Sequence, residues 1–203
     1  VVLKYSNIIL LCYLGIRRCN ESKRQISEFK TTNRRVGGIR VISSSKKGAI
    51  IQSQIEMDSH ADTIVAGSNC VIIYYTGKEC DVSPYTDAYE AIKSVPIVQA
   101  GTAYDNIDTG ETFILIFNEA IWMGDKMDHT LVNPNQLRSF GITVQDNAFS
   151  DAPTYVSTEG KEFYFQLDFH GAILSAPART PTEHELQTCT HVALSSEHDW
   201  DPQ

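Results

Sequence analysis

The chain reads Asp58-Ser59-His60-Ala61-Asp62-Thr63-Ile64-Val65 directly after a strand-like run at residues 50–57. That run has the length and pattern of a β-strand, so two carboxylates, a hydroxyl and an imidazole are predicted at the exit of a strand. A carboxylate followed by a hydroxyl at such an exit suits acid–base catalysis by paired carboxylates. The same letters spell Asp-x-His-x-Asp, which on one strand face could supply three metal ligands.

Length and composition indicate a globular chain with an uneven charge distribution. Its 203 residues, 42% hydrophobic and 21% charged, suffice for one domain or two small ones. Residues 1–50 hold 11 Lys and Arg against 2 acidic residues, a net charge of +9, whereas residues 51–203 carry −17. Because the acidic body would repel phosphates, we expect no nucleic-acid partner except through the basic residues 1–50.

The sequence indicates neither a membrane partner nor a cofactor. The apolar run at residues 8–16 is too short to span a bilayer, which needs about 20 residues. Five widely spaced cysteines form no CxxC pair, so neither a zinc ribbon nor a redox pair is indicated, and free thiols in a reducing compartment are expected. No Walker, GxSxG or dinucleotide motif occurs either.

Residues 50 onward are predicted to be mainly β, after a basic and weakly ordered leader at residues 1–49 that lacks sustained periodicity. Strands are predicted at residues 70–75, 78–82, 95–104, 111–122, 162–167 and 172–174. Turn-forming residues lie at Thr76-Gly77 and at residues 105–110.

Two short helices are predicted in the second half of the chain. Asn133 can cap the first helix, with Pro134 at its first position and a stop at Gly141. Thr182 is followed three residues later by Glu185, which is the spacing of a capping box at the start of the second helix.

The chemistry proposed for Asp58 depends on a second carboxylate. In an aspartic protease two carboxylates hold one water, and they cannot both ionise at such close range, so together they act as acid and base. This sequence has one good candidate loop, at Asp58. A second copy of the chain would therefore supply the other carboxylate.

Two motifs resemble a known family. Asp58-Ser59-x-Ala61-Asp62-Thr63 resembles the retropepsin signature Asp-Ser/Thr-Gly-Ala. The second signature of that family is an apolar pair, a turn and a short helix reading x-x-Leu-x-x-x-Gly, and residues 131–141 match it about 75 residues on. Residues 113–122 are similar to the segment before that helix in copia-type retrotransposon proteases. Residues 56–141 thus resemble the protease region of a copia-type Gag-Pol polyprotein.

The resemblance implies a fold and a function. The fold is a mainly β, retropepsin-like closed or half β-barrel at residues 50–141, with one short helix near residues 134–140. A β-rich extension of the polyprotein follows at residues 142–203, and an intracellular retroelement particle is the expected location. A glycine-bearing hairpin should form a flap, at Thr76-Gly77 or at residues 105–110.

The implied activity is that of an aspartic endopeptidase that cuts polyprotein peptides. A homodimer would activate water between its two Asp58 carboxylates, without a cofactor or metal. Ser59 would brace the loop, and His60, Ala61 and Asp62 would bind substrate.

One departure from the motif leaves alternatives open. His60 stands where retropepsins carry Gly, and its side chain could crowd the loop or the cleft. A catalytically inactive retropepsin-like scaffold or binding domain is therefore an alternative. A second alternative is a metal-dependent hydrolase using Asp58, His60 and Asp62, with His129 and its acidic neighbours as the nearest source of further ligands.

Overall fold

The computed structural model describes residues 32–36, 53–84 and 90–202, and over these residues the chain is mainly β, as predicted. The strands are β1 (Thr32–Val36), β2 (Gln54–Met57), β3 (Val65–Gly67), β4 (Val71–Pro84), β5 (Ile92–Asp105), β6 (Thr112–Gly124), β7 (Thr130–Val132), β8 (Thr143–Gln145), β9 (Tyr155–Ser157), β10 (Tyr164–Gln166), β11 (Asp168–His170), β12 (Ile173–Pro177) and β13 (Thr190–Ala193). The helices are α1 (Pro134–Ser139), α2 (Glu183–Thr188) and a 3-10 turn at Glu159–Lys161. In this part of the chain no helix has the length and apolar character needed to cross a membrane.

The main sheet is mixed and is built around the antiparallel strands β4, β5 and β6. Its order is β1-β4-β5-β6-β3-β7-β2-β12-β11, and β13 also pairs with β6. One edge of β6 is shared, because β13 pairs with its first half and β3 with its second half. The expected closed barrel does not form among the described strands, since β1 and β11 end the path and do not pair with each other.

Strand β7 lies between the two strands that flank the Asp58 loop. It runs parallel to β2, with Met57 opposite Val132, and antiparallel to β3, with Val65 opposite Leu131. The chain therefore leaves β2, turns through the loop and returns along β3 on the far side of β7.

One of the two expected turns is part of a strand instead. Thr76 and Gly77 lie inside β4, where the register with β5 shifts between Tyr75 and Lys78. Gly77 has a φ of 79°, which glycine adopts without strain, so it accommodates a bulge and the strand continues. The predicted turn at residues 105–110 is confirmed, because Asn106 N–H donates to the carbonyl of Glu111 and closes the β5–β6 hairpin.

Both predicted helix starts are confirmed. The Asn133 side chain accepts from the N–H groups of Asn135 and Gln136 and caps α1. Thr182 and Glu185 form a reciprocal capping box at the start of α2.

Residues 142–202 complete the same sheet and core as the first half. β12 pairs with β2, β13 pairs with β6, and buried Phe165 and Leu194 belong to one hydrophobic cluster with Ile55 and Phe117. Phe165 of the small sheet β8–β9–β10 and Phe163 just before it place their rings against Tyr104 of β5. Residue 141 is therefore a boundary in sequence resemblance but not in the sheet.

The leader contributes one strand. β1 pairs in parallel with the second half of β4. The rest of the predicted weakly ordered leader lies outside the described residues.

Candidate active site

The loop between β2 and β3 is a series of turns and bends that holds Asp58 by its backbone and its side chain. The N–H of Asp58 donates to the carbonyl of Val132 at 3.0 Å. Its Oδ1 accepts the N–H of His60 at 2.8 Å, which closes a tight local turn. The side chain of Asp58 is 14% exposed, so the carboxylate is held in place but still meets solvent.

Two buried amides, one at the start of α1 and one within it, bind the middle and the end of the loop. Asn133 Nδ2 donates to the carbonyl of Ala61 at 2.7 Å. Gln136 Oε1 accepts the N–H of Ile64 at 2.8 Å, and its Nε2 donates to the carbonyl of Asn118 on β6 at 3.3 Å. The loop is therefore fixed by a helix that lies 72 residues further along the chain.

The sequence predicted Asn133 as a helix cap but gave Gln136 no role. A signal for Gln136 was present, since it lies three residues after the capping Asn133 and therefore on the same side of the helix start. Gln136 is buried there, where an amide must find partners.

Strand β6 bulges where it passes the loop. Asn118 and Glu119 are 4% and 3% exposed, and Glu119 has a φ of 54°, which is unusual for a residue with a side chain. The Glu119 carboxylate pairs with Lys78 Nζ of β4 at 2.8 Å. A conformation of this kind costs on the order of 1 kcal/mol and persists when surrounding contacts hold it, as Lys78 and Gln136 do here.

The predicted site residues differ in exposure. Ser59 and His60 are exposed, and the His60 ring is 79% exposed with Nδ1 3.6 Å from Asp58 Oδ1. Ala61 is 1% exposed and its carbonyl already accepts from Asn133, so its side chain faces the core rather than a ligand. Asp62 is half-buried, and its carbonyl accepts the indole N–H of Trp200 at 2.8 Å.

The geometry does not support the metal alternative. Asp58, His60 and Asp62 lie in turns and bends, so the strand alternation that would place three ligands on one face is missing. His129 lies between Glu56 and Asp128 rather than at the loop. Within residues 53–84 and 90–202, no group of three or more His, Cys, Asp or Glu side chains is arranged to hold a metal ion.

The sequence did not predict that Glu56, Asp128 and His129 lie together next to the loop, with Glu56 and His129 buried and Asp128 exposed. His129 Nε2 lies 3.3 Å from Glu56 Oε2, and His129 Nδ1 contacts Asp128 Oδ1. Gln54 Nε2 donates to the other Glu56 oxygen at 2.7 Å. Glu56 lies two residues before Asp58, so this cluster joins β2 to β7 immediately below the loop.

Comparisons of the chain with protein-family models, with curated proteins and with solved structures gave no match. Its function is therefore argued from the site and from the two sequence motifs.

Proposed function

We propose that this chain is a retropepsin-like aspartic endopeptidase of a copia-type retrotransposon polyprotein. Asp58 is its catalytic residue, and the retropepsin-like half-barrel comprises the strands from β2 to β7 together with α1. The partners in this proposal are a second copy of the chain and a polyprotein peptide, in an intracellular particle.

The observation that carries the proposal is the meeting of two motifs that are distant in sequence. The first motif contains Asp58 and the second contains Val132 and Asn133. Val132 accepts the N–H of Asp58 at 3.0 Å, and Asn133 donates to Ala61 at 2.7 Å. A chance resemblance between two short motifs gives no reason for direct hydrogen bonds between them.

The exposure of the loop supports pairing with a second copy. Asp58 keeps part of its carboxylate in solvent, and Ser59 and His60 beside it are exposed. Two such loops facing each other would place two carboxylates around one water. Ser59 would brace its own loop through its hydroxyl, a role that remains a prediction.

The reaction uses one ionised and one protonated carboxyl group. The ionised Asp58 takes a proton from water, and the water oxygen attacks the peptide carbonyl carbon while the protonated Asp58 gives its proton to the carbonyl oxygen. The C–N bond then breaks as the carboxyl group that took the water proton gives it to the leaving nitrogen. A hydroxyl of the tetrahedral intermediate returns its proton to the other carboxylate, which restores the starting pair. Sharing one proton between close carboxylates provides both functions.

The inactive scaffold remains a second candidate because of one observation. His60 Nδ1 of the exposed ring lies 3.6 Å from Asp58 Oδ1, so the ring would compete with a substrate for space beside the carboxylate. In that case the domain would keep its fold and its self-association but cleave nothing.

The deciding experiment compares the full chain with Asp58→Asn in cleavage of a peptide library at about pH 5. The asparagine keeps an oxygen that can accept the His60 N–H, so the variant should fold like the parent and lose cleavage. The aspartic protease proposal is supported if the parent chain cleaves peptides and this cleavage is lost both in Asp58→Asn and in the presence of a transition-state analogue of peptide hydrolysis.

The other outcomes are equally informative. A folded, dimeric chain without cleavage would favour the scaffold, and cleavage that survives Asp58→Asn would refute Asp58 as the catalytic residue. Sedimentation velocity on the same samples measures the dimer independently of activity.

A further inference from the structure

The segment Ser195–Trp200 follows β13 and reaches the flank of the Asp58 loop. Ser195 anchors its start: the Ser195 hydroxyl accepts the N–H of Asn118 at 2.8 Å, and the Asn118 amide donates to the Ser195 carbonyl at 2.8 Å. Ser195 is 0% exposed, whereas residues 197–199 are exposed. Because the start of the segment is anchored and its middle is exposed, the contacts at its end are separate from those of Ser195.

That contact has two parts. Asp199 Oδ1 accepts from Lys78 Nζ at 2.5 Å, and the indole N–H of Trp200 donates to the Asp62 carbonyl at 2.8 Å. The Asp199 side chain is 87% exposed. Trp200 is half-buried.

The lysine that contacts this segment is itself held in place. Lys78 is held by the buried carboxylate of Glu119 at 2.8 Å, on the strained bulge of β6. Burial would lower the pKa of Lys78, but hydrogen bonds to Asp199 and Glu119 outweigh burial and raise it. Lys78 therefore receives residue 199 and the Asp62 carbonyl receives residue 200, so consecutive residues of one segment bring a carboxylate and an N–H to these two groups.

We propose that Lys78 and the Asp62 carbonyl form a peptide-binding site for an acidic–aromatic segment, and that the chain's own Asp199-Trp200 is its bound ligand. The lysine selects the carboxylate, and the carbonyl selects an aromatic ring with an N–H. A tethered ligand acts at an effective concentration of roughly millimolar, so individually weak contacts keep the site filled.

The contacts that support this binding site do not depend on catalysis. One consequence does rest on the proposed function: Asp62 would line the substrate cleft, so the bound segment would compete with polyprotein peptides at one end of that cleft.

The test uses the full chain carrying Asp199→Ala and Trp200→Ala, which empties the site. A fluorescein-labelled peptide with the sequence of residues 197–202 is titrated, and its anisotropy is followed. We expect binding to the emptied chain and no binding to the parent, whose own segment occupies the site. Adding Lys78→Gln should weaken binding about tenfold, since a charged hydrogen bond is lost.

Lys93→Gln is the matched control, because Lys93 makes a comparable exposed pair with Asp81 away from the segment. It should leave peptide affinity unchanged. A peptide with phenylalanine in place of tryptophan should bind a few-fold more weakly, because it lacks the indole N–H.

A second measurement needs neither peptide nor an emptied site. Exchange of the Trp200 indole N–H with solvent, followed by NMR and assigned with Trp200→Phe, should be several-fold faster in Asp199→Asn than in the parent. Lys78→Gln should behave in the same way, and Lys93→Gln should not.

Peptide that fails to bind the emptied chain, or that binds equally with and without Lys78, overturns the proposed site. Unchanged indole exchange in Asp199→Asn does so as well. Neither readout involves cleavage, so the site can stand when the protease proposal fails, and the reverse also holds.

Discussion

Asn133 donates a side-chain N–H to the carbonyl of Ala61, while its side-chain oxygen Oδ1 caps the helix that follows. One buried side chain, 4% exposed, therefore fixes both the start of α1 and the middle of the Asp58 loop. The helix and the loop cannot move independently, because either movement would leave a buried amide without a partner. This coupling explains why so short a loop keeps its carboxylate in one place.

Gln136→Ala should destabilise the fold by about 2 kcal/mol, because it leaves the buried N–H of Ile64 without an acceptor. Urea unfolding followed by circular dichroism measures the loss. Asn135→Ala is the control on the same helix: Asn135 is exposed, and about 0.5 kcal/mol or less is expected. Equal losses for the two variants would mean that Gln136 does not hold the loop.

His60→Gly should raise the kcat/KM of peptide cleavage several-fold if the ring obstructs the approach to Asp58. His60→Ala removes the same ring without adding the backbone freedom of glycine, so it should show the same gain with less loss of stability. Steady-state cleavage of one peptide by the parent and both variants provides the comparison. A fall in kcat/KM for both variants would instead make His60 a contributor to catalysis.

His129→Gln should cost about 3 kcal/mol, because it leaves the carboxylate of Glu56 buried beside a weaker partner. Glu56→Gln removes that charge, so the double variant should be less destabilised than the two single losses added together. Urea unfolding of all four chains completes the cycle. His184→Gln, at an exposed histidine, should stay within about 0.5 kcal/mol, and strictly additive losses would show that the pair is not coupled.

Arg179 should contribute stability that disappears in acid. It joins β5 to α2 through Asp105 at 2.7 Å and Glu185 at 2.7 Å. Its hydrogen bond lowers the pKa of Glu185 to about 2, with help from the N–H of Thr182, and it also lowers the pKa of Asp105. Carboxyl groups with depressed pKa values stabilise the fold above their ordinary pKa, and this contribution is lost as the pH falls from about 4.5 towards 2.

Arg179→Gln should therefore cost about 1 kcal/mol at pH 7, a modest value because these groups are partly exposed, and progressively less below pH 4. Urea unfolding at pH 7 and pH 3 measures the change. Lys126→Gln, at an exposed lysine, controls for the loss of one positive charge. If Arg179→Gln lowers the free energy of unfolding by the same amount at both pH values, the proposed link between the depressed carboxyl pKa values and stability is wrong.

Local patterns predicted much of the fold. The capping box of Thr182 and Glu185, the Asn133 cap and the turn closed by Asn106 all appear as predicted, because each depends on residues within a few positions of one another. The prediction of a turn at Thr76-Gly77 was wrong. A glycine in this conformation fits either a turn or a bulge, and the pairing of β4 with β5 gives the bulge. The strand order of the main sheet could not be predicted either, because it depends on which distant strands pair with the edges of β6.

The sequence by itself determined that this chain is mainly β and that Asp58 lies in a tight loop after a strand, because alternation and turn chemistry act over short distances. Only the tertiary structure decided which groups surround that loop. Gln136, Glu119 and Lys78 come from three separate elements and Trp200 from the segment after β13, and their contacts exist only once these parts have packed. Burial then requires each polar group to find a partner, and the available partners are set by the fold as a whole.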